Sequence, residues 1–210
     1  MKSDEGAPAA RPPGRPRSAE ADEAILGAAV ELLIERGVDQ VSVEQVARRA
    51  GVTRATVYRR FPNLTALLVS AVEWEYRDAD PEGLHWPDVD GMVAHWAAQL
   101  SRPRDRKLMR RLYAAVDDFP ELLQAYADAH GRHGVEAVRA TLDRARSSGE
   151  LPPHVDSAVL QQMFSGAALA YVGVYPDDSG EDAIRAYFTD ILRQVGYRPA
   201  ASREGAHDDE

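Results

Sequence analysis

Residues 41–68 read VSVEQVARRAGVTRATVYRRFPNLTALL, and this stretch decides what kind of molecule the chain builds. Ser42 followed three residues later by Gln45 has the form of a capping box, in which the hydroxyl and the amide satisfy backbone groups that a first helical turn leaves unpaired. A helix therefore starts here. Val43, Val46, Ala47 and Ala50 share one of its faces at helical spacing, with Glu44, Arg48 and Arg49 elsewhere. Gly51 ends it, because a residue without a Cβ takes the left-handed conformation that a sharp helix-to-helix corner needs, and Val52 tucks under that corner. Thr53 offers an N-cap hydroxyl for a second helix, expected from Arg54 to Phe61, where Pro62 and Asn63 break it. Val57 and Phe61 point inward, which leaves Arg54, Thr56, Tyr58, Arg59 and Arg60 outside.

Such a surface suits the major groove of DNA. Arginine bonds bidentately to guanine edges, and threonine and tyrosine hydroxyls reach the phosphate oxygens beside the groove. Residues 41–60 hold five arginines against the single acid Glu44, a balance of +4 in a chain whose formal net charge is −9. Residues 1–66 sum to +1 and the remainder to −10, so an acidic body repels DNA and binding is confined to the head.

At these residues a family resemblance becomes specific. VTRATVYRRFPNLTALL resembles the end of the helix-turn-helix of TetR-type (tetracycline-repressor-like) transcriptional regulators, whose pattern has a tyrosine followed by an aromatic and then a short turn into a leucine-rich helix. The likeness covers residues 20–72, including the preceding helix ADEAILGAAVELLIERGVDQVS. Ala55 stands where many members have glycine, and Leu64 where many have a lysine that touches the DNA backbone, so that one phosphate contact is missing here. The resemblance implies an all-α protein: a three-helix head for DNA joined to a larger helical body that binds a ligand and dimerises.

The rest of the chain reads in the same way. Its 210 residues are 44% apolar, enough for one large domain or two small ones. The absence of cysteine excludes disulfides and a thiol nucleophile, and suits a cytoplasmic location. Residues 1–17, rich in proline, glycine and alanine, read as a flexible arm. Arg15 and Arg17 at its end either lie along the minor groove or belong to a solvated tail. Residues 18–67 form the DNA-binding head, 68–198 the body and 199–210 an acidic, disordered tail. In the first head helix Ile25, Ala28, Ala29, Leu32 and Leu33 repeat at helical spacing up to the C-cap Gly37. Body helices are expected over residues 64–79, 88–100, 105–117 and 120–147, then after the cap Asp156, and after a box from Ser179 to Asp182; Gly131 and Gly134 are placed to bend the longest. No strand pattern is present.

Residues 157–175 are apolar on more than one side and rich in small side chains, which fits either a central core helix or close approach of a second helix. One short recognition helix reads only a few base pairs, whereas two related by a dyad read a palindrome with half-sites about 34–36 Å apart. The resemblance adds that the family pairs its last two helices into a four-helix bundle, which assigns Met163, Ala167, Ala170, Val174, Tyr187 and Ile191 to a homodimer interface. It also implies a pocket for a small-molecule effector among the middle helices, with Trp96, Tyr113, Phe119, Tyr126, Met163, Phe164 and Tyr171 as lining candidates or simply core residues.

Arg54 and Tyr58 enter the groove, while Ser42, Thr53, Thr56, Arg59 and Arg60 hold phosphates of a palindromic operator. The expected function is a repressor released from DNA by its effector. The alternatives are an activator, a regulator answering a protein partner, and a helical enzyme or binding protein with a relic head. No phosphate-cradling loop, G-x-S-x-G elbow or H-E-x-x-H is present, so no catalytic residue and no cofactor is assigned. His130 and His133 with Asp128 have a spacing more often solvated than metal-binding, and no metal is assigned.

Overall fold

The computed structural model describes residues 16–77 and 84–199, leaving aside the side chains of residues 16–18 and of His130. These residues form ten α-helices and no strand: α1 (Pro16–Arg36), α2 (Val43–Arg49), α3 (Arg54–Tyr58), α4 (Leu64–Glu75), α5 (Val89–Leu100), α6 (Pro103–Ala114), α7 (Pro120–Tyr126), α8 (Arg132–Ser147), α9 (Ser157–Val174) and α10 (Glu181–Gln194). The all-α expectation holds. α1 starts at Pro16, two residues inside the stretch read as an arm. Arg15 and residues 200–210 of the tail lie outside the described residues.

Most helix starts follow local chemistry. Asn63 Oδ1 accepts from the Ala66 amide at 2.8 Å, Asp88 Oδ1 from Gly91 at 2.7 Å, and Asp156 Oδ1 from Ala158 and Val159 at 2.8 and 3.0 Å. The backbone bonds from Val159 and Ala158 hold the Asp156 carboxyl below the usual carboxylate range. Two starts depart from expectation. α6 begins at Pro103, which occupies the first turn instead of bounding it, since proline has no amide hydrogen that the turn would leave unpaired. The box from Ser179 to Asp182 does not form: Gly180 is the N-cap, and Ser179 Oγ turns back to donate to the Pro176 carbonyl at 2.7 Å. The expected long helix over residues 120–147 is continuous but widens into one π-helical turn at Ala127–Gly131. A π turn inserts a residue into the helical register, so the apolar stripes of α7 and α8 face different partners.

Two apolar cores result. In the first, Ile25, Ala29 and Leu33 of α1 pack with Val46 of α2, Val57 of α3 and Leu68 and Val72 of α4, and Leu108 and Leu112 of α6 and Leu122 of α7 close it. The second joins Met92 and Val93 of α5, Leu142 of α8, Phe164 of α9 and Ile184 and Phe188 of α10. The head core therefore runs on past residue 67: the whole buried side of α4 belongs to it, and two body helices complete it.

The chain after α10 is pinned to the second core. Tyr197 is buried there, and the Arg198 amide donates to the Glu150 carbonyl at 2.9 Å. Between α10 and Tyr197, Gly196 has φ +87°, and a Cβ on it would sit 2.9 Å from Pro152 Cγ. Gly196→Ala combines left-handed strain with a steric clash. A loss of about 1–3 kcal/mol is expected, seen in thermal unfolding as a midpoint lower by roughly 3–10 °C; an unchanged midpoint would contradict it.

Candidate nucleic-acid interface

The corner between α2 and α3 is built from short-range bonds that the sequence specifies. Ser42 Oγ accepts from the Gln45 amide at 3.3 Å while Gln45 Oε1 accepts from the Ser42 amide at 3.0 Å, closing the capping box. Gly51 has φ +68°, and a Cβ there would meet nothing within 4 Å, so the turn needs glycine for its backbone conformation and not for room. The Val52 amide reaches back to the Ala47 carbonyl at 3.0 Å. Thr53 caps α3 through a 3.2 Å bond from the Thr56 amide, and the two threonine hydroxyls share a 2.9 Å bond. One hydroxyl hydrogen of that pair is left for an outside acceptor. Val57, fully buried, fastens α3 to the first core.

The outer side of this corner presents Ser42, Arg48, Thr53, Arg54, Tyr58 and Arg59, all exposed, with Tyr58 at 48%. Arg48, Arg54 and Arg59 make no ion pair among the described residues. Their charge and donors remain available to a polyanion.

Arg60 has a different place. α3 ends at Tyr58, earlier than the expected Phe61, and the chain turns through Arg59 and Arg60. That turn carries the Arg60 side chain, 16% exposed, back against α1, where Nε pairs with Asp22 and Nη1 donates to the Thr56 carbonyl at 3.2 Å. The outward position read for Arg60 from helical spacing is thereby corrected: its guanidinium ties α3 to α1. Arg49 behaves alike, donating to both Glu35 oxygens at 2.7 and 2.8 Å. Hydrogen bonding from Arg49 holds the Glu35 carboxyl below the usual carboxylate range, and the same bond holds the Arg49 proton more tightly. Thr56 is half-buried, and Phe61 packs on the first core as expected. Arg17 lies in α1 with its side chain outside the description.

A head of this geometry can be compared with known proteins. A family model described as bacterial regulatory proteins, tetR family, matches residues 25–71, and one described as tetracyclin repressor-like, C-terminal domain, matches residues 81–191. The chain belongs to the TetR family. It is 27% identical over 185 residues to an uncharacterized HTH-type transcriptional regulator, YdeS of Bacillus subtilis (strain 168), which spans 87% of this chain and 93% of the relative. It is 28% identical over 154 residues to the HTH-type transcriptional repressor KstR of Rhodococcus jostii (strain RHA1), with 70% and 68% covered. Among solved structures it is similar to NalD, the secondary repressor of the MexAB-OprM multidrug efflux pump in Pseudomonas aeruginosa, with a TM-score of 0.64 at 22% identity over 86% of this chain and 98% of that one. The chain is thus a helix-turn-helix transcriptional regulator of the TetR family, and the TetR head is α1–α4.

In the TetR body the side chains assigned to a pocket and to an interface fall in several different places. The pocket candidates do not gather around one space. Phe119 and Tyr126 pack on the first core, Trp96, Phe164 and Tyr171 belong to the second, and Tyr113 and Met163 are exposed. The physical reason is the division of the body between two cores, with α6 and α7 on the head side and α5 and α9 on the other. A hollow of about 470 Å³ lies between α4 and α7, lined by Val69, Glu73, Pro120, Glu121, Gln124, Ala125 and Asp128, and one of about 180 Å³ lies between the start of α5 and the C-terminal part of α8 with the turn after it. None of the pocket candidates lines either.

The interface candidates divide between surface and interior. Met163 is 49% and Val174 80% exposed, with Ala170 exposed between them, and Val159 extends the same side of α9. Ala167, Tyr187 and Ile191 are half-buried, and Tyr187 Oη donates to the Ala167 carbonyl at 3.2 Å, tying α10 to α9 within the chain. His133 is exposed and Asp128 pairs with Arg132, while the His130 side chain is outside the description. Among the described residues no helix is long and apolar enough to cross a membrane.

Proposed function

We propose that this regulator is a cytoplasmic homodimeric repressor that holds a palindromic operator through its two heads and releases it when a small-molecule effector binds the body. The observation that carries the reading is the capped corner that presents Arg54, Tyr58 and Arg59 outward, with no acid among the described residues paired to either arginine. Arg54 and Tyr58 read base edges, whereas Ser42, Thr53, Thr56 and Arg59 position phosphates. Arg17, in the first turn of α1, and Arg15 just before it in sequence are the groups assigned to the minor groove. Arg60 acts through the recognition helix it holds and not on DNA.

The homodimer reading is supported by the side of α9 that carries Val159, Met163, Ala170 and Val174. Exposed valine and methionine at helical spacing are what a helix paired with a second copy presents before pairing. Repression is supported by the likeness to KstR, itself a transcriptional repressor. An effector acts in this reading by biasing the tilt of α4, the helix that carries the head, and it can do so only by binding one tilt more tightly than the other. In this reading the protein carries no catalytic group.

The test is a titration of the full chain against DNA from upstream of its own gene at stated salt. Saturable binding that survives excess competitor and fits two protomers per palindrome is expected. Weak, sequence-blind, salt-sensitive binding to that DNA and to a randomised pool alike would overturn the reading.

A further inference from the structure

Arg106 of α6 is the largest fully buried side chain among the described residues, at 1% exposure, and the DNA-binding role makes no use of it. A buried guanidinium is tolerated only where its hydrogens find acceptors. Here the Nη hydrogens find the end of α9: Arg106 donates to the Tyr171, Tyr175 and Pro176 carbonyls at 3.3, 2.5 and 2.5 Å, while Nε makes no hydrogen bond among the described residues and lies 3.7 Å from Asp177 Oδ1. One turn along α6, Arg110 donates to the Val172 carbonyl at 2.8 Å and to both Asp177 oxygens at 2.9 Å. The last carbonyls of a helix have no partner within it and carry its negative pole, so two arginines cap α9 from a neighbouring helix.

The same α6 is fastened to the head. Arg104 donates to Glu31 of α1 at 2.8 and 3.0 Å and pairs with both oxygens of Glu75 of α4. The bond to Glu75, then that to Glu31, holds the Arg104 proton more tightly than in free arginine. Arg111 donates to the Ile34 and Glu35 carbonyls at the end of α1, each at 3.3 Å. Leu108 and Leu112 of the same helix are buried in the head core. α6 is thus a strut with one set of arginines on the head and another on the end of α9.

We propose that Arg106 and Arg110 are positioning residues that set the separation of the two heads, and with it the half-site spacing that the protein reads. The inference rests on the homodimer reading, in which α9 forms the seam between copies. Given that seam, the place of each head relative to the dyad is the place of α6 relative to α9. Planar guanidinium groups bonded in several directions fix that angle more tightly than apolar packing, which tolerates sliding. DNA advances about 3.4 Å per base pair along each strand, so a small rotation at the α6–α9 joint changes which spacing is met by both heads.

Arg106 variants risk misfolding, so the test uses Arg110→Gln and Asp177→Asn, at half-exposed positions, beside wild type. Each full-length protein is checked by sedimentation and thermal unfolding and then selected against a randomised duplex library, whose enriched inverted half-sites are sorted by spacing. Wild type is expected to enrich one spacing. The folded, dimeric variants should enrich the same half-site at neighbouring spacings too, with the preference for the best spacing reduced about tenfold, and Arg110→Lys should restore part of it. A role confined to stability would lower the unfolding midpoint and leave the spacing profile alone. Variants that fold, dimerise and keep the wild-type profile would therefore overturn the assignment and leave the dimeric regulator standing. A wild type that sediments as a monomer and enriches single half-sites would instead overturn the homodimer reading, and this inference with it.

Discussion

Arg54→Ala is expected to lower affinity for the operator by about 10- to 100-fold while leaving weak binding to unrelated DNA nearly unchanged, because a bidentate arginine–guanine contact discriminates by about 1–3 kcal/mol. Arg54 is the first residue of α3, and the first residues of a recognition helix are those that meet base edges. It is exposed and pairs with no acid among the described residues, so no internal bond has to break before it engages DNA. Arg59→Ala should act otherwise. Arg59 lies in the turn after α3 and is proposed to hold a phosphate, so its loss should weaken cognate and scrambled DNA alike and reduce the dependence of log K on log salt by about 1. Titration of both variants on both DNAs at several salt concentrations separates the roles. Equal losses on cognate and scrambled DNA for both variants would remove this division of labour. Arg60→Ala is the informative companion, because its guanidinium is turned to Asp22 and its loss should be felt in the seating of α3 before it is felt in the salt slope.

Phe164→Ala should cost about 3–5 kcal/mol of stability, in the range of large-to-small changes at fully buried aromatics, and lower the unfolding midpoint by roughly 10 °C. Phe164 is buried, stacked on Phe188 with ring centroids 5.4 Å apart, and met edge-on by Trp96 at 6.0 Å. Truncating it leaves a void bounded by α5, α9 and α10, which cannot close without moving all of them. As a wall of an open pocket the same residue would leave the midpoint almost unmoved and change effector response instead. Met163→Ala, one residue earlier and exposed, should leave the core intact and weaken self-association, so the neighbouring substitutions separate core from seam. Thermal unfolding with sedimentation decides between them; a small shift for Phe164→Ala would return that residue to the pocket.

The head was legible because its determinants are local. The Ser42–Gln45 box, the left-handed Gly51, the Thr53 cap and the buried Val57 each depend on residues within about four positions of one another, and backbone stereochemistry does the rest. The recognition helix is the exception within the head. Helical spacing carried it on to Phe61, but it stops at Tyr58, and that earlier end turns Arg60 inward.

The body was legible only as a series of helices. Aromatic residues in its middle helices look alike whether they line a cavity or fill a core, and their division between two cores follows from how α5–α10 stack. The ion pairs escape sequence reading for the same reason. Asp22, Glu31 and Glu35 stand on one helix with nothing nearby in sequence to name Arg60, Arg104 and Arg49 as their partners. By itself, then, the sequence determined an all-helical TetR-family chain with a DNA-reading corner, because propensity, capping and apolar periodicity act over one or two turns. The tertiary structure alone decided which arginines stay on the outer side of the corner and which brace the fold, because a charge pairs with whatever the packing brings within about 4 Å, at any separation along the chain.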